Sequence, residues 1–434
     1  MSLFRIRETG STFMTEVLAG ITTFVTMSYI IFVNPNILSQ TGMPFSALVV
    51  VTCLASALGT FMMAVFANYP IALAPGMGLN AFFAFGVVLT MKINGAPVTW
   101  QAALAAVFIE GAIFAVLTLT NIREAIMNSI PKSLKIGISA GIGLFVAFIG
   151  LQSAGIIIDN NATLLGLGSV KNNIPMMLSL AGLFIMSVLT ALNVKGALLI
   201  GIVLITAAAA ALGLVEIPET FVSTPPSIMP IVGKLDFSLI KEPEFWIVVF
   251  TFFFVDFFDT LGTLVGVCNR SGLLDEKGNL PRAKGALMAD AVATMAGAVL
   301  GTSTVTSYVE SSSGVAQGGR TGLTSIVTAL LFVAAIFFTP LVGMVPAYAT
   351  APALIIVGMY MMVSLRDLNY DDWTEAIPSM LGFFMMPFAY SIATGIEFAI
   401  VSYVVIKILT GKFKDISLLM VVLSALFIAK EFLA

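Results

Sequence analysis

Long apolar stretches separated by short polar loops recur along the whole chain. A helix of about 20 apolar residues spans the hydrocarbon layer of a bilayer. The pattern predicts fourteen spans, at 15–33, 46–67, 72–91, 99–119, 133–153, 175–193, 196–214, 245–266, 284–300, 303–318, 322–343, 349–365, 376–390 and 391–410. A further apolar stretch, 415–433, fits another span, an interfacial helix or the true last span. The predicted fold class is an all-α polytopic membrane protein.

Composition supports this prediction and excludes several kinds of chemistry. Of 434 residues, 59% are hydrophobic and 10% are charged, whereas soluble domains carry about 25% charged residues. The net charge of -3 is too small to indicate a nucleic-acid partner. Cys53 and Cys268 lie inside apolar runs and predict buried thiols rather than a disulfide or a metal site. No cleavable signal peptide is predicted.

The chain contains no histidine. Histidine-ligated metals, histidine acid–base catalysis and histidine triads are therefore excluded. No cofactor, metal or enzymatic activity is expected. If the protein moves protons, carboxyl groups must carry them.

Lysine and arginine positions predict a cytoplasmic N-terminus, because positive residues concentrate on the cytoplasmic side. Four lysines fall outside: Lys92, Lys171, Lys234 and Lys241. Fifteen basic residues fall inside: Arg5, Arg7, Arg123, Lys132, Lys135, Lys195, Arg270, Lys277, Arg282, Lys284, Arg320, Arg366, Lys407, Lys412 and Lys414. Lys430 is left unassigned. The predicted location is the inner (plasma) membrane.

A proline-rich polar insert from Glu216 to Glu244 separates two halves of seven predicted spans each. Since seven is odd, the second half must be inverted relative to the first, as in inverted-repeat transporters. In each half the third segment is a poor continuous helix. The first reads YPIALAPGMGLNAFFAF (69–85) and the second GTSTVTSYVESSSGVAQGGRTG (301–322).

In the first segment Pro75, Gly76 and Gly78 interrupt the apolar run, and a half-helix can resume only near Leu79. In the second, Thr/Ser/Val alternation through Tyr308 predicts extended backbone, with a half-helix from near Glu310 to Gly318–Gly319. The first-turn N–H groups of both half-helices are expected to be free at membrane depth. Irregular backbone there is tolerated where it lines a cavity or meets protein, and a matched pair indicates a binding site. The alternative is that both are Gly/Ser packing faces between ordinary helices.

Six acids are predicted to lie at membrane depth, where a charge needs a specific reason. They are Glu110, Asp256, Asp259, Asp290, Glu310 and Glu397. Asp256 and Asp259 are three residues apart on one helical face, so both cannot ionise cheaply and one is expected to hold a proton. Hydroxyl and backbone donors holding both acids are the alternative.

Glu310 is expected to aim a carboxylate at ligand N–H groups from the start of its half-helix, or else only to cap that helix. Asn80 offers an amide donor and a carbonyl acceptor. Asp290 is expected to pair with a hydroxyl or backbone group. Glu110 and Glu397 are interpreted as structural.

Four stretches closely resemble the nucleobase–cation symporter 2 family, and specifically its AzgA-like branch of purine permeases. They are ALAPGMGLNAFFAF, DTLGTLVG, YVESSSGVAQGGRTGLTS and the loop SGLLDEKG, and the resemblance runs from 15 to the C-terminus. It implies 7+7 inverted repeats, with strand-plus-half-helix elements in spans 3 and 10. It also implies a core domain (1–120 and 245–345), a gate domain (121–215 and 346–434) and an extracellular linker (216–244).

The resemblance assigns roles to particular residues. Asp259 and Glu310 match the substrate-binding acids of the family, and Tyr308 matches an aromatic beside the base. Where uracil-transporting relatives carry histidine this chain has Thr263, which moves the coupling role onto the acids. The implied substrate-binding set is Asn80, Asp259, Thr263, Tyr308, Glu310 and Ser311, and the implied proton-coupling set is Asp256, Asp259 and Glu310.

These observations predict uptake of hypoxanthine, guanine or adenine by proton symport, with an elevator-like movement of the core and a homodimer formed through the gates. Sodium is the less favoured coupling ion. One alternative is an anion transporter or channel on the same fold. Another is an intramembrane aspartyl protease built from Asp256 and Asp259, which two acids on one helix do not favour.

Overall fold

A computed structural model describes residues 4, 6–120, 130–271, 273 and 280–433. Its longer helices follow the predicted apolar stretches. In chain order the helices are α1 (Phe13–Met27), α2 (Ile30–Leu38), α3 (Phe45–Phe66), α4 (Met77–Ala81), α5 (Trp100–Leu119), α6 (Lys132–Ser153), α7 (Ile174–Ala191), α8 (Ala197–Ala211), α9 (Pro243–Ser271), α10 (Ala283–Leu300), α11 (Ser311–Ala316), α12 (Gly322–Ala335), α13 (Thr339–Gly343), α14 (Ala347–Met362), α15 (Trp373–Phe388), α16 (Ile392–Leu409) and α17 (Leu418–Leu433).

Three short antiparallel strand pairs accompany these helices. Their strands are β1 (Leu73–Pro75), β2 (Lys92–Ile93), β3 (Ala96–Pro97), β4 (Ile157–Asn160), β5 (Leu164–Leu167) and β6 (Val305–Ser307). The pairs β2–β3 and β4–β5 are local hairpins, whereas β1 pairs with β6 from the other half of the chain.

Ten helical stretches in the described part of the chain are long and apolar enough to cross a membrane. Each coincides with one of the predicted spans. The predicted spans at 72–91, 196–214, 303–318 and 376–390 correspond to shorter elements, so the total of fourteen stays a prediction. Arg5, Arg123 and Lys277, used for the predicted orientation, lie outside the described residues, as does most of the loop SGLLDEKG.

The two broken segments meet as the two-stranded ribbon β1–β6. Leu73 pairs with Ser307, Ala74 with Thr306 and Pro75 with Val305. The segment after β1 becomes helical at Met77, two residues earlier than predicted, and continues as a π-helix over Phe82–Val88. The predicted strand-plus-half-helix arrangement is thus present in both segments.

A threonine from a neighbouring helix completes the hydrogen bonding at each outer edge of the ribbon. The Thr60 hydroxyl on α3 donates to the Leu73 carbonyl (3.0 Å) and accepts from the Leu73 N–H (2.9 Å). The Thr294 hydroxyl on α10 does the same for Val305, at 3.0 and 3.2 Å. Both edges are therefore satisfied without water, as backbone at membrane depth requires. The same device in both halves fits the predicted repeat.

The helices pack in two groups. One contains α1, α3, α4, α5, α9, α10 and α12 around the ribbon, and the other contains α6, α7, α8, α14, α15 and α16. The division into core and gate ranges stays a prediction. The two groups meet where α6 contacts α4 and α9.

Candidate functional site

The ribbon joins the two broken segments at the residues predicted to bind a ligand. Tyr308 follows β6, and its backbone N–H donates to the Ala72 carbonyl (3.0 Å). Its hydroxyl donates to the carbonyl of Pro75 (2.6 Å). Pro75 ends β1, and α4 begins two residues later at Met77. The bond to Pro75 therefore holds the Tyr308 side chain beside the start of the first half-helix.

Glu310 lies at the N-terminus of α11 and keeps part of its side chain exposed. Its Oε1 accepts a hydrogen bond from the Tyr29 hydroxyl (2.6 Å). The adjacent Ser311 hydroxyl is buried and accepts from the Ala72 N–H (3.0 Å). Ser311 therefore holds the two segments together. The Glu310 side chain is partly exposed, and the Tyr29 hydroxyl orients one of its carboxyl oxygens.

The expectation of free N–H groups at the second half-helix is wrong for α11. The N–H groups of Ser311, Ser312 and Ser313 donate to the carbonyls of the three residues before α11, at 3.2, 2.9 and 2.9 Å. The turn from Tyr308 to Glu310 brings these carbonyls into i–3 positions, which satisfies the first turn locally. The Glu310 carboxyl does not cap the helix either.

Asn80 is fully buried and connects the two broken segments. Its Oδ1 accepts a hydrogen bond from the Ser303 hydroxyl, and its Nδ2 donates to the Pro75 carbonyl at 3.4 Å. Both polar ends of the predicted ligand-binding amide are thus engaged in this conformation. An amide has two N–H donors and two acceptor lone pairs, so each end of Asn80 keeps one further hydrogen-bonding position.

Asp259 lines a small cavity of about 20 Å³ between the two groups of helices. Space of this size holds about one water molecule. The lining residues come from α4, α6, α9 and α14, and are Gly78, Leu79, Lys135, Ile138, Ser139, Ile142, Val255, Asp259 and Met361. Asp259 lies within electrostatic range of Glu310. Glu310 is not among the described residues that line this cavity, so its link to Asp259 is electrostatic.

Thr263, predicted to bind substrate, lies one turn beyond Asp259 on α9 and is partly exposed. It is not among the described residues that line this cavity. A larger cavity of about 670 Å³ opens among α6, α15 and α16, near Ser133, Glu375 and Lys414. Since no broken segment reaches it, the smaller cavity is the better candidate for the site.

Asp256 and Asp259 lie in different surroundings, although their spacing predicts one helical face. Asp256 is fully buried, against Glu110 of α5 and Asp290 of α10. The hydroxyl of Thr260 donates to Asp290 Oδ1 (2.8 Å), which confirms the predicted hydroxyl partner of Asp290. Glu110, interpreted from sequence as structural, thus lies beside a predicted coupling acid.

Sequence reasoning missed Tyr29 and Glu16. Tyr29 lies where α1 ends and α2 begins, and the polar pair Ser28–Tyr29 within an apolar run was the available signal. Glu16 is fully buried and accepts from the N–H groups of Arg320 (3.0 Å) and Thr321 (3.2 Å). It lies at the start of the first predicted span and was not among the acids singled out from the sequence, yet it joins α1 to the start of α12.

The chain is similar to known membrane permeases along nearly its whole length. The profile of the permease family matches residues 14–398. The chain is 46% identical to the adenine permease AdeP of Escherichia coli, over 99% of this chain and 95% of that protein. It is 45% identical to the guanine/hypoxanthine permease PbuG of Bacillus subtilis, over 98% of each.

A solved structure with the same fold is the transmembrane domain of a cyanobacterium bicarbonate transporter, BicA. The TM-score is 0.64 at 15% identity, over 88% of this chain and 97% of that one. At this low sequence identity, the structural similarity supports a shared fold alone.

Proposed function

This chain belongs to the permease family of membrane transport proteins, and we propose that it imports purine nucleobases, namely hypoxanthine, guanine or adenine. The observation that carries the proposal is the meeting of the two broken segments in the ribbon β1–β6. The Tyr308 hydroxyl bonds to Pro75 just before α4, Glu310 follows two residues later, and Asp259 lines a cavity with two residues of α4. Relatives named as adenine permeases and guanine/hypoxanthine permeases support the substrate class.

The chemistry of a purine suits this arrangement. A purine base is flat and presents ring N–H donors along its edge. Carboxylates accept such donors in short charge-assisted hydrogen bonds. Asp259 and Glu310 would accept the N–H groups, and the Tyr308 ring would lie against the base. The first-turn N–H groups of α4, near Gly78 and Leu79, would approach a ring carbonyl.

The cavity must widen to admit a base, which motivates the proposed elevator-like movement. Residues that bind substrate lie on the ribbon and on α9, whereas α6 and α14 close the cavity from the other helix group. Sliding one group past the other would open the cavity to each side of the membrane in turn. Ranges 1–120 and 245–345 would then move as the core, and 121–215 and 346–434 would form the gate.

Proton symport is the proposed energy source, with sodium less favoured. The acids Asp256, Asp259 and Glu310 would exchange the proton, since the chain has no histidine. Protonation from outside would permit loading, and deprotonation inside would accompany release. The protein would form a homodimer through its gate domains. It would lie in an inner membrane with its N-terminus in the cytoplasm.

Radiolabelled hypoxanthine uptake tests this function in cells that lack their own purine uptake. Unlabelled adenine, guanine, xanthine and uracil serve as competitors, with and without a protonophore. Competition by one or more purines but not by uracil, with uptake abolished by the protonophore, is the expected result. Undiminished uptake in both Glu310→Ala and Asp259→Ala at normal surface expression would contradict the site assignment.

An anion transporter on the same fold is the main alternative, since a bicarbonate transporter shares the architecture. Two acids at the site repel anions, which argues against it. Bicarbonate uptake without purine uptake would favour this alternative.

A further inference from the structure

Three acids from three different helices meet behind the ribbon, apart from the residues assigned to the purine. Glu110 comes from α5, Asp256 from α9 and Asp290 from α10, and each is fully buried. The carboxyl of Asp256 interacts with those of both Glu110 and Asp290. We call these three residues the carboxyl cluster.

Several oxygens of the carboxyl cluster have no hydrogen-bond donor. Both oxygens of Asp256, Oε1 of Glu110 and Oδ2 of Asp290 lack a donor among the described residues. Leaving a buried carboxylate oxygen unpaired is costly, and placing three negative charges together is costlier. Protons held between the carboxyls would remove both costs.

Hydroxyl groups surround the cluster on the ribbon side. The Thr260 hydroxyl donates to Asp290 Oδ1 (2.8 Å) and lies 2.6 Å from the Thr306 hydroxyl. The Thr304 hydroxyl lies 3.5 Å from Glu110 Oε2. The charged group nearest along α9 is Asp259, which also acts on Asp256 and Asp290. The cluster is thus faced by hydroxyls and by a further acid.

We propose that Glu110, Asp256 and Asp290 form a shared proton-binding site that supplies the coupling proton. The inference rests on the proposed function and deepens it, because it adds Glu110 and Asp290 to the coupling residues. Within the enlarged coupling set, Asp256 would hold the proton together with Glu110 and Asp290, while Asp259 and Glu310 would also bind the purine.

The ribbon connects the two sites physically. Thr306 belongs to β6 and pairs with Ala74 of β1, and Tyr308 and Glu310 follow two and four residues later. A shift of β6 on purine binding would move the Thr306 hydroxyl relative to Thr260 and Asp256. The proton affinity of the cluster would then differ between the loaded and empty protein, which is the requirement for coupling.

Proteoliposomes containing the purified full chain test the inference. Glu110→Gln and Asp290→Asn each remove a titratable carboxyl, and Glu397→Gln is the matched control, a buried acid of α16 outside the cluster. Both cluster variants should keep hypoxanthine counterflow exchange near the wild-type rate. Their accumulation of hypoxanthine under an inward proton gradient should fall about tenfold or more. Glu397→Gln should match wild type in both assays.

Proton uptake on purine binding provides a second readout that a structural role would not change. Calorimetric titration with hypoxanthine in buffers of different ionisation enthalpy gives the number of protons bound per purine. We expect fewer protons in Glu110→Gln than in wild type, and restored accumulation in Glu110→Asp. This comparison holds even if Asp290→Asn does not fold.

Failure of the inference differs from failure of the proposed function. If wild type neither binds nor transports a purine, the proposed function is wrong. If wild type shows proton-driven purine uptake while Glu110→Gln and Asp290→Asn accumulate purine normally, only the carboxyl cluster is refuted. Loss of exchange together with accumulation in folded variants also refutes it, as does accumulation driven by sodium alone.

Discussion

The hydroxyl of Tyr29 donates a 2.6 Å hydrogen bond to Oε1 of Glu310, across 281 residues of sequence. Tyr29 lies at the break between α1 and α2, and Glu310 lies at the start of α11. The bond orients one carboxyl oxygen of Glu310, and in the proposed function the other oxygen accepts from the purine. A break in the first span therefore orients the acid of the tenth predicted span.

Tyr29→Phe should weaken purine binding without preventing folding. A hydrogen bond to a charged group contributes about 1.5–3 kcal/mol, so the half-saturating purine concentration should rise about tenfold or more. Concentration-dependent uptake measures this. Tyr348→Phe is the matched control, because the buried Tyr348 hydroxyl has no partner in the described part of the chain. Equal half-saturation in Tyr29→Phe and wild type would contradict the orienting role.

Gly78→Ala should impair transport through a steric clash between the two helix groups. A Cβ at Gly78 would overlap Cγ2 of Ile142, a β-branched residue on α6 that cannot easily move aside. We expect a strong reduction in purine uptake at normal surface expression. Gly343→Ala, where a Cβ meets nothing within 4 Å, should leave uptake unchanged. Wild-type uptake by Gly78→Ala would show that α4 and α6 need not approach this closely.

Thr60→Val and Thr294→Val should each destabilise the protein while conserving side-chain shape. Each removes a hydroxyl that satisfies both an N–H and a carbonyl at the ribbon edge. A decrease in unfolding free energy of about 1–3 kcal/mol is expected for each. Denaturation in detergent measures the loss, and Thr22→Val, at a partly exposed position of α1, is the control. Wild-type stability in both ribbon variants would mean that other donors replace the threonines.

Lys407→Met should destabilise the protein more than the loss of a surface lysine. Lys407 is 1% exposed, and its Nζ lies 2.7 Å from Glu375 and 3.0 Å from Asp415. Removing it leaves Glu375 with only the Ser133 and Tyr403 hydroxyls as partners, at a cost of about 1–3 kcal/mol, while solvent screens the half-exposed Asp415. The more exposed pair Lys412–Asp372 provides the contrast, since Lys412→Met should cost at most about 1 kcal/mol. An equal decrease in Tm for Lys407→Met and Lys412→Met would contradict this prediction.

The pair Lys412–Asp372 should also make stability depend on pH. Asp372 precedes α15, and hydrogen bonds from Lys412 and Thr374 hold the pKa of its carboxyl below the usual range. A carboxyl with a lower pKa in the folded state adds stability above its unfolded pKa of about 3.9, and this is lost as pH falls. The Tm advantage of wild type over Lys412→Met should therefore be present at pH 7 and shrink below about pH 4. A constant difference across that range would contradict the assignment.

The spans, the two broken segments and the acids at membrane depth are all readable from the sequence. An apolar run of span length has few alternatives to a membrane-spanning helix, because the bilayer excludes charged groups and unpaired backbone N–H and C=O groups. Pro75 and Gly76 interrupt one run, and the Thr/Ser alternation before Tyr308 interrupts another. These local signals predicted the two half-helices and the extended stretch before the second, whereas the strand of the first segment was implied only by the family resemblance.

The grouping of the acids was decided only by the tertiary structure. Asp256 and Asp259 are neighbours on one helix, yet Asp256 faces α5 and α10 while Asp259 faces the cavity beside α4 and α6. The meeting of Glu110 with Asp256 and of Tyr29 with Glu310 depends on how distant helices pack. The periodicity of apolar residues indicates which side of a helix packs against protein rather than lipid. It does not indicate which other helix packs against that side. Hydrogen bonds across such contacts are therefore decided when the helices pack, although the apolar pattern already determines where the helices form.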